Sequence, residues 1–149
     1  MGVLYGYYAA DDDAHAIGAI DRDDDQLLGT GYDGFDVKGI DPVVCLLPVE
    51  VHLSGRSAEA LRQDPRHSRL VGTADDGWVL TVSLTDPFRD ALATAAPDLL
   101  EETARVWSTA DVFPFPSDQE GLLDFLTDLA ALARRAVTRG QGLYCWACP

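Results

Sequence analysis

A long, one-sided apolar stripe near the C-terminal end narrows the folds open to this chain more than any other feature. Leu122, Phe125, Leu126, Leu129, Leu132, Ala133, Ala136 and Val137 recur at the three- and four-residue steps of a helix. Ser117, with Glu120 three residues on, has the pattern of a capping box, and Gly140 is the residue type that ends such a helix. Acids fill the first half of the segment and Arg134, Arg135 and Arg139 its last turns, as the helix dipole favours. The spacing therefore predicts a helix over Asp118 to Arg139 whose apolar face must lie against another layer.

Strand signals supply that layer. Gly2 to Ala10 mixes β-branched, aromatic and glycine residues and stops at Asp11-Asp12-Asp13, where an aspartate can cap a short helix over Ala14 to Ile20. Leu70 to Thr73 and Trp78 to Leu84 flank Asp75-Asp76-Gly77, a turn sequence that predicts a β-hairpin. Leu143 to Ala147 reads as a last strand. Between these, Asp41-Pro42 opens a buried helix through Val43, Val44, Leu46 and Leu47, interrupted by Pro48 and ended by Ser54-Gly55. Ser57 to Gln63 reads as an exposed helical turn or two. Thr85-Asp86-Pro87 opens a further helix that turns Phe88, Ala91, Leu92 and Ala95 to one side. Ala96-Pro97 starts the next, with Leu99, Leu100, Thr103, Ala104 and Trp107 inward. The prolines of Val112 to Pro116 force an extended crossing, and the segment from Asp21 to Asp36, rich in Asp and Gly, reads as a loop.

The expected fold is α+β: a small, mostly antiparallel sheet of N-terminal strand, central hairpin and C-terminal strand, covered by four or five helices. At 149 residues the chain suits a single domain, 1–149.

Charge restricts partners. With 25 acidic residues against 11 basic ones the formal charge is -14, and Lys38 is the single lysine. Such a surface repels phosphate backbones, so no nucleic acid is expected as a partner. No stretch approaches the roughly 20 apolar residues of a membrane span, and the Met1-Gly2-Val3-Leu4-Tyr5 start lacks the basic and apolar regions of a signal peptide. The expectation is a cytoplasmic protein that meets no membrane. A basic protein is the partner that the charge favours, and Asp21, Asp23, Asp24 and Asp25 are the candidate contact residues.

Chemical motifs are sparse. Cys145-Trp146-Ala147-Cys148 has C-x-x-C spacing, but in a strand those cysteines point to opposite faces about 10 Å apart, past the roughly 7 Å limit of a disulfide. Asp21, Asp23 and Asp25 match the first ligand positions of an EF-hand loop, yet Gln26 and Tyr32 stand where glycine and a bidentate glutamate belong. No cofactor and no metal is expected. Gly29-Thr30-Gly31 and Gly140-Gln141-Gly142 do not extend to a phosphate-binding pattern. Among the histidines, His52 in its apolar setting is expected to be buried, with His15 and His67 exposed. Pairing of the terminal strands would let Tyr5, Tyr7, Tyr144 and Trp146 share a sheet face, and with Glu50 and His52 they form a candidate pocket.

Several of these features together resemble the bacterial YfbM-like family, a domain of unknown function. They are the Met1-Gly2 opening into an aromatic strand, the apolar helix ending Leu53-Ser54-Gly55, and Leu84-Thr85 at a helix start. Pro114 before the long helix and Ala136-Val137-Thr138-Arg139-Gly140 before a last apolar strand complete the layout. The resemblance implies an α+β fold and brings no activity, substrate or cofactor with it. The expected role is a non-enzymatic binding or interaction module of the adaptor or immunity type that meets a basic protein. The alternative is a small-molecule or enzymatic pocket built from the aromatics with His52 and Glu50.

Overall fold

The computed structural model describes residues 3–20, 31–113 and 117–148. In chain order they form β1 (Leu4–Ala10), α1 (Asp13–Ile17), β2 (Gly34–Lys38), α2 (Leu47–Ser54), α3 (Ala58–Gln63), β3 (Leu70–Ala74), β4 (Val79–Ser83), α4 (Asp86–Thr94), α5 (Pro97–Ser108), α6 (Gln119–Arg139) and β5 (Gly142–Cys148). The strands make one sheet in the order β2-β1-β5-β4-β3, antiparallel at every pairing. This is an α+β fold, with six α-helices among the described residues where four or five were expected. No helix among those residues is long and apolar enough to cross a membrane.

The helix α6 lies on the sheet over β1 and β5, with α4 and α5 against its sides. Leu126, Leu129, Leu132 and Ala133 of its stripe are fully enclosed, as is Trp107 of α5, whose indole N–H donates to the Cys45 carbonyl at 2.8 Å. Its cap is Asp118 rather than Ser117: two carboxylate oxygens there accept from the Glu120 and Gly121 amides, which one hydroxyl could not match. Gly140 closes the helix in the left-handed region at φ 69°, as the sequence predicts.

Other expectations need correction. Of the loop expected over Asp21 to Asp36, residues 21–30 lie outside the described residues, and Gly34 to Asp36 instead open β2, an edge strand whose half-buried side chains give no apolar alternation to read. Asp41-Pro42 starts a single turn, not a buried helix, with the Asp41 carboxylate accepting from the Val43 and Val44 amides. Val43 and Val44 are exposed. Pro48 does not interrupt a helix but begins α2, where a missing amide hydrogen costs nothing. Leu99 faces outward at the solvent edge of α5. The hairpin forms as expected, its turn at Asp75–Gly77 holding Asp75 and Asp76 at positive φ.

Candidate functional site

A polar cleft of about 490 Å3 opens at the end of the sheet where β1 and β4 finish and β5 begins. Each wall follows from a local signal. The Asp11-Asp12-Asp13 run ends β1 and starts α1, with Asp12 accepting from the His15 amide at 2.8 Å as its cap. Thr85 caps α4 by accepting from the Phe88 amide, which places Asp86 and Arg89 on the opposite wall. Gly140 and Gly142 form the turn from α6 into β5, and Tyr144 and Arg66 complete the lining.

The groups in the cleft are tied to one another. Both terminal nitrogens of Arg66 donate to the Asp13 carboxylate, at 2.9 and 2.8 Å, and the Tyr144 hydroxyl donates to it at 2.9 Å. The guanidinium also lies over the Tyr144 ring, 5.9 Å from its centroid. Hydrogen bonds from Arg66 hold the Asp13 carboxyl below the usual aspartate range. Burial, with the Asp13 charge beside it, pushes the Tyr144 phenol up to about 12. Arg89 donates to the Gln141 carbonyl at 2.9 Å and pairs with Asp90 at 2.9 Å and Asp86 at 3.3 Å. The Gln141 amide in turn donates to Asp11 at 2.9 Å.

A buried carboxylate anchors this arrangement from below. Glu50 of α2 is 3 % exposed; it accepts from the Thr85 hydroxyl at 2.6 Å and stands 3.2 Å from Nδ1 of His67. A carboxylate oxygen accepts, so in this contact Nδ1 of His67 is placed to donate. The Ser83 hydroxyl donates to the Arg66 carbonyl at 2.7 Å. Glu50 and Ser83 therefore fix the Arg66-His67 turn and the start of α4, and with them the two arginines of the cleft.

The pocket anticipated from sequence is not assembled as such. Tyr5 and Tyr7 share the face of Cys145 and Ala147, under the helices, while Tyr144 and Trp146 share the other face with Tyr8. The register sets Tyr8 opposite Tyr144, so the even positions of both strands point the same way and the odd positions the opposite way. His52, two residues past Glu50 on α2, turns to another side of that helix and comes within electrostatic reach of Glu102. It is His67, with a side chain only 15 % exposed, that meets Glu50. Arg66 and His67 sit in a turn with no periodic pattern, so their role rests on long-range packing alone. Asp21, Asp23, Asp24 and Asp25 lie outside the described residues.

None of the three cysteines forms a disulfide. Cys145 is enclosed on the helical face and Cys148 packs on the other, and burial pushes the Cys145 thiol well up, away from the reactive thiolate. Among the described residues no group of three or more His, Cys, Asp or Glu side chains is placed to hold a metal ion.

No protein-family model matches the chain, and no curated protein sequence is significantly similar to it. A solved structure, that of YfbM from Escherichia coli, a protein of unknown function, is similar over 97% of this chain and 99% of that one, at 15% identity and a TM-score of 0.45. YfbM bears the name of the family that the sequence resembles.

Proposed function

We propose that the chain is a non-enzymatic binding module that meets a basic protein partner at the polar cleft. The supporting observation is the charge balance there. The carboxylates of Asp11, Asp12, Asp13 and Asp86 face the guanidinium groups of Arg66 and Arg89, and both guanidiniums are already engaged by carboxylates. Asp11 and Asp86 stand at the rim with side chains 69% and 68% exposed, so a partner's arginine or lysine reaches them without burying an unpaired charge. Each rim pair contributes at most about 1 kcal/mol, but several of them on a chain of net charge -14 steer a cationic surface toward the cleft.

The experiment is fluorescence anisotropy with a labelled oligo-arginine peptide, followed as the Debye length falls from about 30 Å to about 8 Å. Affinity should drop steeply over that range, and an oligo-glutamate peptide should not bind. Salt-independent binding, or equal binding of the acidic peptide, contradicts the proposal. Asn substitutions at Asp21, Asp23, Asp24 and Asp25 test the acidic run separately from the cleft.

A further inference from the structure

At the opposite end of α4 from the cleft, the α4–α5 corner and the outward stripe of α6 enclose a groove of about 520 Å3. Ala93, Ala95 and Leu100 form one bank and Leu123 the other, with Glu101 and Arg134 as its charged members. Its apolar walls and size are those of a small-molecule site rather than of an ion site.

Arg134 is the unusual member. On a chain with 25 acids, Arg56, Arg66, Arg89, Arg105, Arg135 and Arg139 all have carboxylate partners. Among the described residues Arg134 has none, and it lines both this groove and an adjoining dent formed with Arg135, Thr138 and Arg139. Arg62 and Arg69 also lack an ion pair among the described residues but border neither cavity. Asp33 pairs with both Arg135 and Arg139 and offsets only part of the cluster's charge. The result is a local positive island at one end of an apolar groove, on an otherwise acidic molecule.

A guanidinium beside an apolar wall is suited to a carboxylate, which it holds through two parallel hydrogen bonds in a setting drier than open solvent. Glu101, exposed on the other bank and without an ion pair among the described residues, repels the same head group and so sets the ligand's direction. From Leu123 to Arg134 the helix rises about 16 Å, the reach of a medium-length acyl chain. We infer that this groove binds a small carboxylate with an apolar body, of the fatty-acid type, its head on Arg134 and its tail along Leu100 and Leu123. This site is independent of the acidic cleft and of the partner proposed there.

Calorimetric titration of the full chain with decanoate, below its micelle concentration, tests the inference. Decanol and decyltrimethylammonium carry the same tail with a neutral and a cationic head, and acetate carries the head without the tail. Decanoate should bind at least about tenfold more tightly than the other three, the scale of one charge-assisted contact. Arg134→Gln should remove that preference, Glu101→Gln should tighten decanoate binding, and Leu123→Asp should abolish it. Circular dichroism checks that each variant is folded, and the two surface variants keep the test decisive if Leu123→Asp is not. Equal binding of decanol and decanoate, an unchanged preference in Arg134→Gln, or no decanoate binding at all would overturn it.

Discussion

The two faces of the sheet are closed by different means. Over Tyr5, Tyr7 and Cys145 lie α2, α4, α5 and α6, and the closure is mainly apolar, with the Tyr7 and Phe125 rings edge to face at 5.1 Å and Trp107 fully enclosed; the Tyr7 hydroxyl adds a bond to the Ile40 carbonyl at 2.6 Å and the Tyr5 hydroxyl one to Asp41 at 3.1 Å. On the other face, Tyr8, Tyr144 and Trp146 are equally buried, yet among the described residues the helix that packs there, α1, has five residues. That face is fastened by phenol hydroxyls. Tyr8 donates to the Ala16 carbonyl at 2.7 Å and bonds Thr81 at 2.7 Å, Tyr32 donates to the His15 carbonyl at 2.6 Å, and Tyr144 donates to Asp13. On this face the phenol bonds tie α1 and Tyr32 to the sheet, and the cleft lies where those bonds reach the sheet's end.

Substitutions should separate the two modes of closure. Trp107→Ala, which empties the thick side, should cost about 3–5 kcal/mol in urea denaturation. Tyr8→Phe keeps its ring and removes two hydrogen bonds, so it should cost less, about 1–3 kcal/mol. Hydrogen exchange should then quicken in α1 well before α6, because local opening follows local stability. A loss as large as that of Trp107→Ala, or exchange quickened equally in both helices, would mean that the thin face is no separate unit.

Acid should act on the smaller fastenings. The Asp13 and Asp33 carboxyls are held below the ordinary aspartate value of 3.8, each chiefly by hydrogen bonds from arginine: Arg66 for Asp13, Arg135 and then Arg139 for Asp33. A carboxyl lowered in the folded state stabilises above its unfolded value and loses that contribution as pH falls through its folded value. Asp13→Asn should therefore lower stability at neutral pH by less than about 1 kcal/mol, since both partners are partly exposed, and flatten the decline below pH ~4. An unchanged acid limb in the variant would remove Asp13 from the account. Val43→Thr, at an exposed turn, should be the smallest change, within about 0.5 kcal/mol.

What the sequence made legible follows the same division. The stripe of α6, its glycine stop and the Asp-Gly hairpin are local patterns, and the structure reproduces them with a one-residue shift of cap from Ser117 to Asp118. The edge strand β2 was hidden because half-buried residues alternate weakly, and Pro48 was misplaced because a proline looks alike inside a helix and at its start. The grouping of Tyr5 and Tyr7 with Tyr144 and Trp146 failed on register parity, which turns on strand pairing and not on composition. The cleft was least legible: its central pair, Asp13 and Arg66, stand 53 residues apart, and while the Asp11-Asp12-Asp13 run marks a helix start, no local motif marks Arg66 or joins the two.

The most direct test of the acidic cleft as a docking site compares two variants with equal loss of charge. Asp11→Asn with Asp86→Asn neutralises its rim, and Asp75→Asn with Asp76→Asn neutralises the hairpin tip. Titrated with the same oligo-arginine peptide at one salt concentration, the rim variant should bind about tenfold more weakly than the natural chain and the hairpin variant nearly as well as it. Equal weakening in both would mean that only net charge attracts the peptide and that the cleft is not where a basic partner docks.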